Sequence, residues 1–199
     1  MRIGIVGGGG IGQAFAGQVV KAGYEVIISN SRGPESLADV VKQLGPPTKA
    51  GTRQEAAQAD VVVVAVRWPQ LRAALSDLPP WNGRILIDCT NPILKPGFPL
   101  PELKDSTSSE IVASLAPGAR VVKVANTLPR ALLATDPVQA GGHRVLFMSG
   151  DDGAAKEEVA VILDKAGFAT VDLGGLASGG RMQQVPGGLL TELNLIKLN

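Results

Sequence analysis

The chain has 199 residues, of which 45% are hydrophobic and 19% charged, and its 19 Lys and Arg residues against 18 Asp and Glu residues leave a net charge of +1. This composition is typical of one globular domain and excludes both a disordered chain and a strongly basic nucleic-acid-binding protein. We therefore expect small-molecule partners and no nucleic acid.

The cysteine and histidine content and the hydropathy exclude further classes of protein. Cys89 and His143 are single residues of their kind, which excludes an internal disulfide and a Cys/His metal cluster, so no metal site is predicted. The longest strongly apolar stretch, 61–66, is far shorter than the roughly 20 residues of a membrane-spanning helix. We expect a cytoplasmic protein that makes no membrane contact.

Apolar runs of strand length alternate with helical patterns along the whole chain. Eight strands are predicted, over Arg2–Val6, Glu25–Ser29, a short stretch near Lys49, Asp60–Val66, Arg84–Asp88, Arg120–Val124, Arg144–Ser149 and Ala169–Leu173. Helices are predicted over Ile11–Ala22, Glu35–Leu44, a short segment capped by Thr52 and Glu55, Pro69–Leu78, Ser108–Leu115, Asp152–Ala166 and a short segment from Leu189. A proline-rich loop is predicted from Ile93 to Ser106.

The fourth strand indicates the fold class. Val61 to Val64 are four valines without polar alternation, a pattern typical of an interior parallel strand covered by helices on both faces. Together with the alternating order, it predicts an α/β fold with a doubly wound, mostly parallel sheet of about eight strands. We assign residues 1–173 to this domain. Residues 174–199 are predicted to be a short C-terminal segment that packs on the same domain or on a partner subunit.

A glycine-rich turn follows the first strand. The run from Gly7 to Gly12 fits the pattern G-x-G-x-x-G, with glycines at 7, 9 and 12. In a strand–turn–helix unit, these glycines allow a tight turn, the approach of a pyrophosphate and close packing of helix on strand. The helix N-terminus then offers free N–H groups to phosphates. The predicted cofactor contacts here are Gly7, Gly9, Gly10, Ile11 and Gly12.

The end of the second strand distinguishes between the two nicotinamide dinucleotides. NAD-binding proteins of this kind place an acidic residue there to hold the ribose 2′-hydroxyl. This chain instead has Ser29, Asn30, Ser31 and Arg32, which favour a 2′-phosphate and hence NADP(H). The alternative is that Ser31 caps the next helix and Arg32 is merely solvated.

Three further loops each follow a buried strand. A reacting group is expected to lie at these loops. We predict that Trp68 flanks the adenine or the nicotinamide, that Asn91 and Asn126 fix the carboxamide or the acceptor, and that Thr127 contributes a hydroxyl. Simple turn formation is the alternative for each of them. The further site residues of these loops are Val66 and Arg67.

Reduction of a carbonyl requires a general acid near the acceptor. The candidates are His143, which we expect at the wrong end of its strand, Tyr24, Cys89 and Lys123, and none is compelling, so the catalytic residue stays unassigned. A flavin-type acceptor removes the requirement, because hydride then passes directly between two rings. The segment from Gly174 to Gly188 has the composition of a close-fitting lid or acceptor loop.

These motifs resemble those of the NADPH-dependent deazaflavin (coenzyme F420) oxidoreductases, which share their N-terminal domain with pyrroline-5-carboxylate reductase. The resemblance rests on five segments in order along the chain: 1–12, 29–37, 88–92, 123–127 and 149–152. It implies a Rossmann domain, NADPH on the Gly7 to Gly12 loop, and Ser31 and Arg32 on the 2′-phosphate. It also implies that the nicotinamide faces a deazaflavin over loops 66–69 and 126–128.

The cytosolic domain of membrane ferric reductases is similar and passes hydride to FAD, so FMN or FAD is an alternative acceptor. Arg67 departs from the small residue or proline expected in relatives; its guanidinium binds an anionic acceptor or narrows the pocket. Two other functions stay open, namely reduction of a small imine or carbonyl and a non-catalytic NADPH sensor. A homodimer also stays open, because Leu189, Leu190 and Leu195 pack either on the same chain or on a partner.

Overall fold

The computed structural model describes residues 1–94, 103 and 105–198, so most of the proline-rich loop predicted at 93–106 lies outside the described residues. Within those ranges the strands are β1 Arg2–Val6, β2 Glu25–Ser29, β3 Thr48–Ala50, β4 Val61–Val64, β5 Ile85–Asp88, β6 Arg120–Val124, β7 Val138–Gln139, β8 Gly142–Gly150, β9 Ala169–Asp172 and β10 Ile196–Leu198. The α-helices are α1 Gly10–Lys21, α2 Ala38–Leu44, α3 Arg53–Ala57, α4 Leu71–Leu75, α5 Ser108–Leu115, α6 Arg130–Leu133, α7 Gly153–Lys165 and α8 Gly179–Gln183.

The strands form one sheet in the order β10-β8-β6-β5-β4-β1-β2-β3, with β7 and β9 also paired to β8. The six strands β3-β2-β1-β4-β5-β6 are mutually parallel and follow the order 3-2-1-4-5-6 of the Rossmann fold. The predicted fold class, a doubly wound and mostly parallel sheet, is confirmed. The chain proceeds from β1 to β2 on one side and places β4 on the other, which opens a crevice at their carboxyl ends.

Apolar side chains cover both faces of the sheet. One cluster includes Phe15 and Val19 of α1 and Ile162 of α7, and the other includes Leu71 of α4 and Val112 of α5. The four valines of β4 are each at most 2% exposed, as expected for an interior strand between two helical layers. With both faces covered, ligands can reach the sheet at the ends of its strands, and in open parallel sheets they bind at the carboxyl ends.

Helix boundaries depart modestly from the prediction where proline starts the helix. Pro34 and Pro69 each lie in a 3₁₀ turn, over Pro34–Leu37 and Trp68–Gln70, and the α-helical part begins after it. Proline is compatible with the first turn of a helix because its missing N–H has no intrahelical partner there.

None of the helices in the described part of the chain has the length and apolar character to cross a membrane.

The last third of the sheet differs from the prediction. Strand β8 runs antiparallel to β6, and the helix predicted from Leu189 is wrong, because that segment turns and then forms β10. Leu189 is 83% exposed, and Ile196 pairs with Arg144 at the edge of the sheet. The leucines of this segment, at 189, 190, 193, 195 and 198, do not distinguish a helix from a strand over so short a length. Pairing with β8 makes the end of the segment a strand.

Candidate functional site

A cleft of about 500 Å³ opens at the carboxyl ends of β1, β2 and β4. It is lined by seven of the residues predicted for the cofactor site: Gly7, Gly9, Asn30, Ser31, Arg32, Val66 and Arg67. Gly8, Arg53, Gln70, Ala73 and Ala74 also line it and were not predicted. The fold thus brings the glycine-rich turn, the end of β2 and the loop after β4 to one crevice.

The glycine-rich turn leaves no room for side chains on its protein side. Gly7 has φ +120°, and a Cβ there would lie 2.4 Å from the Ala65 carbonyl oxygen. A Cβ at Gly12 would lie 2.0 Å from the Gly7 carbonyl oxygen, so only glycine lets α1 pack this closely on the turn. Ile11, between them in the motif, packs against the larger apolar cluster.

Gly9 has the opposite surroundings. It is the N-cap of α1, and a Cβ built on it would meet no atom of the described residues within 4 Å. Among those residues no side chain caps this helix, so the first-turn N–H groups remain available at the cleft. An open cradle at an uncapped N-terminus of a 12-residue helix fits a dinucleotide pyrophosphate.

The loop after β2 is shaped by one asparagine. The Asn30 Oδ1 atom accepts a hydrogen bond from the Arg32 backbone N–H (2.8 Å), and Asn30 Nδ2 donates to Ser36 Oγ (2.9 Å). Ser31 and Arg32 are exposed and line the cleft. Within the ranges that the structure describes, neither side chain has a hydrogen-bond or ion-pair partner, so both are free to contact a phosphate.

Two arginines that sequence reasoning missed approach the same region. Arg53 on α3 lines the cleft, and its guanidinium donates to the backbone carbonyls of Ala73 and Ser76. Arg130 on α6 lies against the first turn of α1, where a Cβ on Gly10 would be 2.4 Å from Arg130 Cδ and 3.2 Å from its Nη1 atom. The sequence contains no local signal for either, because both reach the site across the fold from other helices.

Asn91 and Asn126 lie together, as loops at adjacent strand ends should. Asn91 Nδ2 donates to the Asn126 carbonyl (2.8 Å), and Asn126 Nδ2 donates to Asn91 Oδ1 (2.8 Å) and to the Gln183 carbonyl (2.8 Å). Thr127 is 3% exposed, and its carbonyl accepts from the Glu192 N–H. The side-chain donors of Asn126 are thus used within the protein, and neither asparagine lines the cleft.

Three further candidates, Trp68, Tyr24 and His143, make contacts within the protein. Trp68 packs against the cluster under α4, and Tyr24 is 8% exposed in the larger core. His143 Nδ1 lies 2.9 Å from the Gly167 carbonyl oxygen. Because β8 is antiparallel, His143 lies beyond the carboxyl end of β6, contrary to the expectation that it is at the wrong end, but it does not line the cleft.

Lys123 forms a buried ion pair with Asp88. Its Nζ lies 3.2 Å from Asp88 Oδ2, and both side chains are 0% exposed. Nζ also donates to the Thr90 carbonyl (3.0 Å), while Ser109 Oγ donates to Asp88 Oδ2 (2.5 Å). This closed set of partners indicates a structural role for Lys123 at the carboxyl ends of β5 and β6.

Cys89 is buried beside that pair. Burial is the main factor that raises the pKa of the Cys89 thiol far above its ordinary value, and the neighbouring Asp88 carboxylate raises it further. The thiol is therefore protonated at neutral pH. We expect native protein at pH 8 to leave Cys89 unlabelled by iodoacetamide and guanidinium-unfolded protein to be labelled fully, as measured by mass spectrometry. Rapid labelling of the folded protein would contradict this assignment.

A Rossmann sheet with an open glycine cradle and a cationic cleft defines a dinucleotide-binding protein, and comparisons with known proteins identify which kind. Residues 2–92 match the family model described as NADP oxidoreductase coenzyme F420-dependent. A hypothetical protein from Sinorhizobium meliloti is 44% identical in sequence, with a TM-score of 0.93 over 99% of this chain and 96% of its own.

A provisionally named F420-dependent NADP-reductase from Arthrobacter sp. FB24 is 30% identical, with a TM-score of 0.79 over 99% of this chain and all of its own. The chain belongs to the family of coenzyme F420-dependent NADP oxidoreductases. The rat metalloreductase STEAP3 is 30% identical over 93% of this chain, which spans only 36% of that protein's length. The family resemblance seen in the sequence motifs is confirmed.

Proposed function

We propose that the protein is an NADP-dependent oxidoreductase that transfers hydride between NADP(H) and a deazaflavin or flavin acceptor. The main evidence for NADP(H) rather than NAD(H) is the set of residues that follows β2. Ser31 and Arg32 line the cleft, their side chains have no partner among the described residues, and none of the described residues that line it is Asp or Glu. A guanidinium and a hydroxyl suit a 2′-phosphate, whereas the 2′-hydroxyl of NAD requires an acceptor such as a carboxylate.

In this proposal the protein's residues bind and orient the cofactor. The first-turn N–H groups of α1 and the open face of Gly9 would hold the pyrophosphate. Arg130, beside Gly10, adds positive charge next to the same turn. NADPH supplies a hydride when it is bound.

A ring-type acceptor is supported by the lack of a suitable general acid among the candidates. None of the described residues lining the cleft is His, Lys, Tyr, Cys, Asp or Glu. Lys123 and Cys89 are buried, and the Lys123 ammonium is paired with Asp88. A ring acceptor needs only stacking and orientation. The name of one relative, an F420-dependent NADP-reductase, also supports a deazaflavin acceptor. The exposed Arg67 at the cleft favours an acceptor with an anionic group.

Two measurements test this proposal. Calorimetry gives the affinities for NADPH and NADH, and the decrease in nicotinamide absorbance after addition of coenzyme F420, FMN or FAD shows whether NADPH is oxidised. We expect tighter binding of NADPH and its oxidation by at least one of these acceptors. Failure to bind either nucleotide would contradict the proposed cofactor. Binding without oxidation by any acceptor would favour the sensor alternative.

The variant Gly9→Val tests whether the nucleotide phosphates bind at the glycine-rich turn. The φ of Gly9 is −80° and its ψ is −174°, a conformation open to any residue, and the space around its Cβ position is empty. The variant should therefore fold normally while its side chain blocks the phosphate cradle. We expect NADPH affinity to fall about tenfold or more, equivalent to 1.4 kcal/mol, with an unchanged melting temperature. Unchanged NADPH affinity would show that the phosphates bind elsewhere.

A further inference from the structure

A glutamine from the C-terminal segment is buried at the carboxyl end of the sheet. Gln183, in α8, is 0% exposed. Its Oε1 accepts from Ser149 Oγ (2.7 Å), and its Nε2 donates to the Phe147 carbonyl (2.8 Å) and lies 3.3 Å from Asn126 Oδ1. A fully paired amide in a dry environment specifies one arrangement of its partners, because any displacement leaves a buried polar group unsatisfied.

The Gln183 amide reaches the loop after β6 through Asn126. The Gln183 backbone carbonyl accepts one Asn126 N–H, and Asn91 Oδ1 accepts the other (both 2.8 Å). Asn91 in turn donates to the Asn126 carbonyl. These bonds join α8 to the loops after β5 and β6, whose strands end at the same edge of the parallel sheet as β1 and β4.

The loop after β6 is strained where these bonds hold it. Ala125, the residue before Asn126, has φ +60°, in the left-handed region that is unfavourable for a non-glycine residue. Such a conformation persists only where its surroundings hold it, and it is found most often at functional sites. The hydrogen bonds from Asn91 and Gln183 to Asn126 provide that restraint.

We propose that Gln183 is a positioning residue, which acts through Asn126 to hold the backbone of residues 125–127 against the reacting end of the bound nucleotide. This inference rests on the proposed function and assigns to the C-terminal segment a part in the acceptor side of the site. The side chain of Gln183 itself is buried and touches no ligand. Its effect is on orientation, so its loss should reduce turnover more than nucleotide affinity.

Gln183→Met tests the proposal because methionine keeps a similar volume and removes both polar groups of the side-chain amide, and with them the bonds to Ser149, Phe147 and Asn126. We expect the NADPH dissociation constant to change less than about twofold and the turnover number with the acceptor that oxidises NADPH in the wild type to fall about tenfold or more. Amide hydrogen exchange at residues 125–128 should also be about tenfold faster in the variant, without any ligand, because the strained turn loses the bond from Gln183 Nε2 to Asn126 Oδ1. The bond from Asn126 Nδ2 to the Gln183 backbone carbonyl remains.

Gln184→Met is the matched control. Gln184 is the next residue, and its Oε1 accepts from the Ser108 N–H (3.0 Å) at the start of α5, so this change removes a bond of the same type from a different loop. Turnover and exchange at 125–128 should stay at the wild-type level. If Gln183→Met does not fold, Asn91→Ala is the second variant, because Asn91 is only half-buried and its side chain also bonds to Asn126. We expect the same fall in turnover and the same faster exchange at 125–128.

The outcomes separate this inference from the proposed function. If the wild type binds and oxidises NADPH and the Gln183 variant does so equally fast with unchanged exchange, the positioning role is wrong. Equal effects of the two glutamine variants would also overturn it, since they indicate a general loss of stability. If the wild type itself does not bind NADPH, the proposed function fails, while the exchange measurement still decides whether Gln183 restrains the loop.

Discussion

Replacing Lys123 with Met is expected to lower the free energy of unfolding by about 3 kcal/mol or more. The Lys123 ammonium lies 3.2 Å from Asp88 Oδ2, and both side chains are fully buried. Removing the cation leaves a carboxylate in a dry environment with only neutral donors from Thr90 and Ser109. The Thr90 carbonyl loses its donor as well. The measurement is urea unfolding followed by circular dichroism.

Lys156→Met is the matched control for that variant. Lys156 Nζ also pairs with a carboxylate, Asp172 Oδ2 at 2.8 Å, but the Asp172 side chain is 49% exposed. Water screens this pair, and its loss should cost less than about 1 kcal/mol. The double variant Asp88→Asn, Lys123→Met should recover part of the stability, because it no longer buries an unpaired charge. Equal costs for Lys123→Met and Lys156→Met would show that burial of the Lys123 pair is irrelevant to stability.

Replacing Arg32 with Ala is expected to weaken NADPH binding about 10- to 100-fold, and to change NADH binding less than about twofold. Arg32 lines the cleft at the end of β2 and has no protein partner for its guanidinium among the described residues. A phosphate contact made by a free guanidinium contributes only when the 2′-phosphate is present. The measurement is the dissociation constant of each nucleotide by calorimetry.

Arg72→Ala controls for a general loss of positive charge. Arg72 is exposed on α4 and does not line the cleft, so its replacement should change both affinities little. The preference of Arg32→Ala for NADPH should also respond less to added salt than that of the wild type, because a screened charge contact has been removed. An equal loss of NADPH and NADH affinity in Arg32→Ala would place its guanidinium on the pyrophosphate instead.

Much of the cofactor site was predictable because its signals are local. The glycine-rich turn, Asn30, Ser31 and Arg32 each follow a strand directly, and parallel strands bring their carboxyl ends to one edge of the sheet. Seven of the predicted residues accordingly line one cleft. Arg53 and Arg130 were missed because each reaches the cleft or the first turn of α1 from a separate helix. No periodicity or motif encodes that approach.

The C-terminal third shows the same limit for the fold. The apolar run of β8 predicted a strand, but its antiparallel direction depends on which edge of the sheet is free when it forms. The segment from Leu189 was assigned to a helix, and pairing with β8 makes its end a strand. Gln183 appeared only as a polar residue between glycines. Its burial and its contact with Asn126 arise only from the fold of the C-terminal segment.

The sequence by itself determined the alternation of strands and helices, the interior position of β4, the glycine-rich turn and the absence of an acidic residue directly after β2, because each depends on neighbours along the chain. The tertiary structure alone decided the direction of β8, the approach of Arg53 and Arg130, the closed Lys123–Asp88 pair and the link from Gln183 to the loop after β6. These features join residues far apart in sequence, and their free energy depends on burial and geometry that exist only in the folded chain.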